Sequence, residues 1–142
     1  MSTFQSLSAL LGRICIAILF FWAGWAKMMD IEGTIGYMTS KQMPMALFFL
    51  PAAIALQNLG ALSLVTGYQA RWGAALLIIF IIPASILFHD FWNLEGAERL
   101  TEKIMFMKDV GILGGLLSIL AFGPGKYALG YSKPDADDAS RG

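Results

Sequence analysis

The chain has 142 residues, of which 57% are hydrophobic and only 14% charged. A soluble globular domain carries about 45–50% apolar and about 25% charged residues, so a soluble enzyme and a disordered chain are both disfavoured. Lys+Arg and Asp+Glu number 10 each, so the net charge is zero and no nucleic acid or other polyanionic partner is implied. The apolar excess belongs in lipid, and the length allows about four helical crossings of ~20 residues each.

The first apolar run covers 7–29. It exceeds the ~7–15 residues of a signal-peptide core and lacks a basic N-terminal flank, so it reads as a membrane helix. Cys15 lies alone within it, which excludes an intramolecular disulfide and reads as a buried thiol. A polar connector follows over 30–43, where Gly33 and Gly36 break any continuous helix. Pro44 suits the first turn of a second helix over 45–66, with Gly67 as its C-cap. The short turn 68–71 makes the second and third helices antiparallel neighbours. The third run, 72–91, contains Pro83 and is expected to kink there. A polar loop over 93–103 leads to the fourth run, 104–123, ended by Gly123-Pro124-Gly125. The last stretch, 132–142, is polar and acidic and is expected to be a disordered tail behind a transmembrane domain of residues 1–131.

Lipid requires every backbone polar group to be satisfied internally, and the runs lack barrel alternation. The predicted fold is therefore an all-α, integral membrane four-helix bundle. Basic residues are split four against four between the two faces, Arg71, Lys126, Lys133 and Arg141 against Lys27, Lys41, Arg99 and Lys103. Arg13 tips this balance toward both termini being cytoplasmic.

Each run has a stripe that mixes small and polar residues, the pattern by which membrane helices approach and hydrogen-bond. The stripes are Arg13, Ala17, Phe20, Gly24 and Lys27; Ala53, Gln57, Gly60, Leu64 and Gly67, with Asn58 beside them; Ala75, Ile78, Ile82, Ser85, His89 and Trp92; and Lys108, Gly111, Gly115, Ser118 and Phe122. All four are expected to face the interior. Ionisable groups in a bilayer cost at least ~2.5–3.5 kcal/mol near a helix centre, so each needs a partner or a purpose.

Alternating helix directions put Lys27, His89, Asp90, Trp92, Lys108 and Asp109 in one layer near the membrane boundary. Arg13, Gln57 and Asn58 form a second layer, deeper or toward the side of the termini. The first could hold the headgroup of a quinone or a lipid phosphate, or relay protons. The second could hydrogen-bond a carbonyl or simply lock the bundle. Adjacent Lys108 and Asp109 point about 100° apart and so meet different helices. Trp22, Trp25, Trp72 and Trp92 fit interfacial belts, and Trp25 and Trp92 also lie where they would stack on a ring. No nucleophilic triad, phosphate loop or metal cluster is present as a sequence pattern.

In order along the chain, Leu11-Gly12-Arg13, Ala23-Gly24-Trp25-Ala26-Lys27, Gln57-Asn58-Leu59-Gly60-Ala61, Tyr68-Gln69-Ala70-Arg71-Trp72-Gly73-Ala74, Phe88-His89-Asp90-Phe91-Trp92 and the stretch from Phe106 to Gly115 resemble the DoxX family of small bacterial membrane proteins. The likeness extends over about Leu11 to Gly125. It implies a four-helix inner-membrane bundle related to a membrane subunit of thiosulfate:quinone oxidoreductase. The family commonly has Glu where this chain has Gln57, which removes a titratable group and leaves Arg13 in need of another partner. Taken together, these features suggest a membrane subunit of a redox-associated complex. It would bind ubiquinone, menaquinone or a lipid within the bundle and depend on a partner protein for electrons. The alternatives are a non-catalytic assembly subunit of a membrane complex and, behind it, a solute transporter that would need a homo-oligomer.

Overall fold

The computed structural model describes residues 2–131, so the expected tail 132–142 lies outside the described residues. The elements are α1 (Thr3–Met29), α2 (Ile31–Ser40), α3 (Ala46–Thr66), α4 (Ala70–Phe88), a 3-10 turn (Phe91–Asn93) and α5 (Gly96–Phe122). Among the described residues four helices are long and apolar enough to cross a membrane. The fold is an all-α membrane bundle.

The helix ends depart from expectation for local reasons. α1 begins at Thr3 because Ser2 and Gln5 close a reciprocal capping box. The connector after it is not broken by its glycines. Asp30 ends α1 and also caps α2, accepting the Gly33 amide at 2.9 Å. Pro44 precedes α3 rather than entering it, since Met45 takes a left-handed N-cap conformation. α4 likewise starts two residues early, behind left-handed Gln69, and stops at Phe88 with His89 as C-cap. α5 starts eight residues earlier than the apolar run. Polar Glu98, Arg99, Glu102 and Lys103 are good helix formers, and they mark where the helix leaves lipid rather than where it begins. α4 continues through Pro83, and Gly67 and Gly123 end their helices as expected.

α1 packs on α3, α3 on α4 and α4 on α5, while α1 and α5 barely touch. The interior is formed by Ala17, Phe20, Ala61, Leu64, Ala74, Leu77, Ile81 and Leu116. α2 crosses the boundary end, where Met38 packs with Ala46 and Leu50. The α3–α4 crossing is close. A Cβ on Gly60 or on Gly73 would stand 3.2 Å from the other residue's carbonyl oxygen. Gly24 lies against the side chain of Asn58 at the α1–α3 contact.

The expected stripes of α1 and α3 face inward, with Arg13, Ala17, Phe20, Gly24, Gln57, Gly60, Leu64 and Gly67 all buried. Those of α4 and α5 need correction. On α4 Ser85 is buried as expected, but the other buried residues, Ala70, Gly73, Ala74, Leu77 and Ile81, lie off the expected stripe, and Ile82 is exposed. On α5 Leu116 and Ile119 are buried, while Lys108, Gly111, Ser118 and Phe122 face outward. A helix surrounded by lipid can expose its small residues without penalty, so small size alone does not mark the inner face. Cys15 is also exposed, on the outer side of α1.

Candidate functional site

The polar residues gather at two levels that differ in how well they are satisfied. At the level of the termini, Arg13 is buried and spans three elements. Its Nη1 donates to Leu64 O at 2.9 Å and its Nη2 donates to Tyr127 O. Leu64 is among the last four residues of α3, whose carbonyls a helix leaves without intrahelical donors. Arg13 is thus a cap supplied by another helix, and a cation there also complements the helix dipole. Gly67 lies directly beneath it with φ of 76°, in contact with Arg13 and Ala128, so only glycine suits both conformation and space. Arg71 does the same for α5, donating to Ala121 O at 3.1 Å.

At the other level, a cavity of about 270 Å³ opens in the bundle beneath α2. Its walls are mainly apolar, including Leu19, Phe20, Phe80, Ile81 and Phe88. Into it face Lys27 from α1, Tyr37 from α2, Gln57 from α3, His89 at the end of α4 and Asp109 from α5. Gln57 is 2% exposed, and its Oε1 has no hydrogen-bond partner. A buried unpaired amide oxygen costs about 1–3 kcal/mol, so the position calls for a reason. Lys27 turns its ammonium back to Ala23 O of its own helix at 3.2 Å. Asp109 accepts from Ser85 Oγ. His89 Nδ1 lies 2.7 Å from Glu102 Oε2, and its Nε2 lies 3.7 Å from Asp109 Oδ2.

The structure brings together Gln57, His89 and Asp109 from the expected site, together with Lys27. Arg13 does not join them, because Leu64, which it meets, is seven residues and so about 10 Å beyond Gln57 along α3. It needs no anionic partner, since two carbonyls serve it. Asn58 donates to Ile54 O at 2.9 Å and packs on Gly24, with Oδ1 buried and unpartnered, outside the cavity wall. Asp90 lies at the rim, paired with Lys41 at 2.8 Å, which ties the end of α2 to the turn after α4. That bond holds the Lys41 ammonium above the usual lysine range, while burial raises the Tyr37 phenol. Trp92 stacks edge-on with Phe91 and Phe106 and is half-exposed. Lys108 is exposed on α5, with only Met105 Sδ near its ammonium.

A family model described as DoxX matches residues 8–90. The chain belongs to the DoxX family. It is 35% identical over 129 residues to inner membrane protein YqjF of Escherichia coli K12, covering 91% of this chain and 94% of that protein. It is 31% identical over 120 residues to inner membrane protein YphA of the same strain, covering 84% of this chain and 86% of that protein. A shorter match, 31% over 71 residues, is to the Surfeit locus protein 4 homolog of Schizosaccharomyces pombe, covering 49% of this chain and 24% of that one. No solved structure matches. In this DoxX protein the family match covers the cavity walls of α1 to α4 as far as His89, and Asp109 lies beyond it.

Two contributors to the site escape the polar-stripe reasoning. Tyr37 lies on a helix that was expected to be a loop. Glu102 falls within the predicted loop 93–103 but lies on α5, where its spacing of seven from Asp109 puts both carboxylates on one helix face. Among the described residues no three His, Cys, Asp or Glu side chains converge as metal ligands.

Proposed function

We propose that this protein is a membrane subunit of a redox-associated complex of the bacterial inner membrane, and that the cavity beneath α2 receives the ring of a quinone. The observation that carries this reading is Gln57, buried with an unpaired amide oxygen in a mainly apolar cavity. The volume of about 270 Å³ lies below the ~300–1,000 Å³ of sites for drug-sized ligands, so it suits a single ring whose tail stays in lipid. Lys27 and the Gln57 amide supply donors, and Asp109 supplies an acceptor. A ring whose oxygens change from carbonyl to hydroxyl on taking up two electrons and two protons can use both kinds of group. The sequence carries no flavin, haem or iron–sulfur motif, so the electrons come from a partner protein.

The test is binding of decylubiquinone to the purified chain in lipid nanodiscs, alongside extraction of co-purifying quinones. Saturable binding that Gln57→Leu weakens at least tenfold supports the reading. No quinone in the extract and no binding on addition would sink it. A second reading, an assembly subunit, draws on α5, whose Gly111 and Gly114 have nothing within 4 Å of a built Cβ. On that reading Gly111→Leu would abolish recovery of a membrane partner in a mild-detergent pull-down.

A further inference from the structure

We propose that Glu102, His89 and Asp109 form a proton path between the aqueous boundary and the cavity. The proposal deepens the reading of the cavity as a quinone site, since a ring that gains and loses hydroxyl protons needs such a path. Glu102 and Asp109 lie seven residues apart on α5, which is two turns and about 10 Å of rise. His89 sits between them at the end of α4, with Nδ1 2.7 Å from Glu102 and Nε2 3.7 Å from Asp109. His89 and Asp109 both line the cavity, and Glu102 lies outside it toward the polar first turns of α5.

An imidazole with a carboxyl group at each nitrogen passes protons without holding charge. Protonated Glu102 gives its proton to Nδ1, and Nε2 gives its own to the Asp109 carboxylate. One O–H and one N–H bond break, and one of each forms. The 3.7 Å gap is longer than a hydrogen bond, so the path is interrupted there at rest. A turn of the Asp109 carboxyl away from Ser85, about a broad terminal torsion, completes it. The other ionisable groups nearby are Lys27 from α1, Tyr37 and Lys41 from α2, and Asp90. Asp90 is engaged with Lys41, which leaves Glu102 to His89.

A mere ion-pair staple between α4 and α5 would need one carboxylate only. A second one at the far nitrogen, facing apolar walls, is costly in a membrane and points to transfer. The two accounts predict opposite results for Glu102→Gln. A staple holds the ring, so its loss frees the imidazole and speeds exchange of its N–H with water. A path delivers the proton, so its loss slows exchange.

His89 is the single histidine of the chain, so 15N-labelled histidine gives one imidazole spectrum. The full chain in nanodiscs is compared as wild type, Glu102→Gln, Glu102→Asp and, as a control of charge alone, Glu98→Gln. The expected result is exchange slowed by about 10²-fold in Glu102→Gln, the low end of what a positioned acid or base contributes. Glu102→Asp restores most of the rate, and Glu98→Gln leaves it unchanged. Unchanged or faster exchange in Glu102→Gln overturns the path, as does equal slowing in Glu98→Gln. Decylubiquinone binding is measured on the same samples. Slowed exchange without binding upholds the path and rejects the quinone reading, whereas binding with unslowed exchange does the reverse.

Discussion

Arg13 offers the sharpest test of which polar residues hold the bundle and which serve the cavity. Replacing it with Met keeps most of the buried stem and removes both hydrogen bonds, to Leu64 O and Tyr127 O. Hydrogen bonds to charged groups are worth about 1.5–3 kcal/mol each, which makes the gross loss about 3–6 kcal/mol. Arg13 Nε is buried without a partner, and removing it returns about 1–3 kcal/mol. At mid-range the net destabilisation is about 2–3 kcal/mol, the scale of a severe substitution. Arg13→Lys, which cannot fork to two carbonyls, should fall between wild type and Met. The assay is unfolding by SDS titration in mixed micelles, followed by far-ultraviolet circular dichroism. Chymotrypsin should also cut after Tyr127 faster in Arg13→Met, because the segment after α5 loses its tie to α1 and keeps, among the described residues, only the Leu129 N–H to Thr66 O bond to α3 at 2.9 Å. Decylubiquinone affinity should stay within about twofold, since Arg13 is absent from the cavity wall. Destabilisation below about 0.5 kcal/mol would refute the capping role. So would a tenfold loss of affinity at unchanged stability, which would return Arg13 to the ligand.

Gln57→Leu should raise the stability of the ligand-free protein by about 1 kcal/mol, because it removes an unpaired buried oxygen. Binding falls in the same variant, and a loss of both stability and binding would show instead that Gln57 is structural. Gly60→Ala should cost about 1–3 kcal/mol, since its Cβ would meet Leu77 Cδ2 at 2.7 Å and Gly73 O at 3.2 Å. Gly111→Ala, with open space around it, should be neutral or stabilising by up to about 1 kcal/mol in the same SDS titration. Lys41→Met should cost about 0.2–1 kcal/mol, as expected for a boundary ion pair. Because the Lys41 pKa is raised in the folded state, that contribution is present throughout neutral pH. It disappears only as pH rises above about 10.4, the free lysine value. A difference between wild type and Lys41→Met that vanished already at pH 8 would contradict the pairing with Asp90.

Composition and apolar run length sufficed to count the membrane crossings, because lipid leaves a backbone few alternatives to the helix. The stripes of α1 and α3 were legible because their small residues mark close approaches, Gly24 to Asn58 of α3 and Gly60 to Gly73 and Leu77 of α4. α5 was not legible by the same rule. Its inner face is ordinary Leu116 and Ile119, and Gly111 and Gly114 look outward, while Gly115 alone of its expected glycines meets another helix, at Ile16 of α1. In lipid both faces are apolar, so hydrophobicity does not tell one from the other. Helix ends were misplaced wherever polarity was taken for a loop, as at 96–103, and so Glu102 was missed. The grouping of Arg13 with Gln57 failed for a different reason. Relative shifts of helices along their axes are not written in either helix, and here they bring Arg13 level with Leu64.

The expectation that a neutral Gln57 leaves Arg13 in need of a partner does not hold, because Arg13 bonds Leu64 O and Tyr127 O and never reaches position 57. A carboxylate at position 57 would instead add an acidic group to the cavity wall that also carries His89 and Asp109. With Gln57 neutral, the titratable groups near His89 lie toward the boundary end, on α2 and α5, apart from Lys27. On the proposed path, protons would enter the cavity by way of Glu102 of α5. Introducing a carboxylate with Gln57→Glu should partly rescue imidazole exchange in a Glu102→Gln background if α3 can supply an alternative route. No rescue would confine the path to α5.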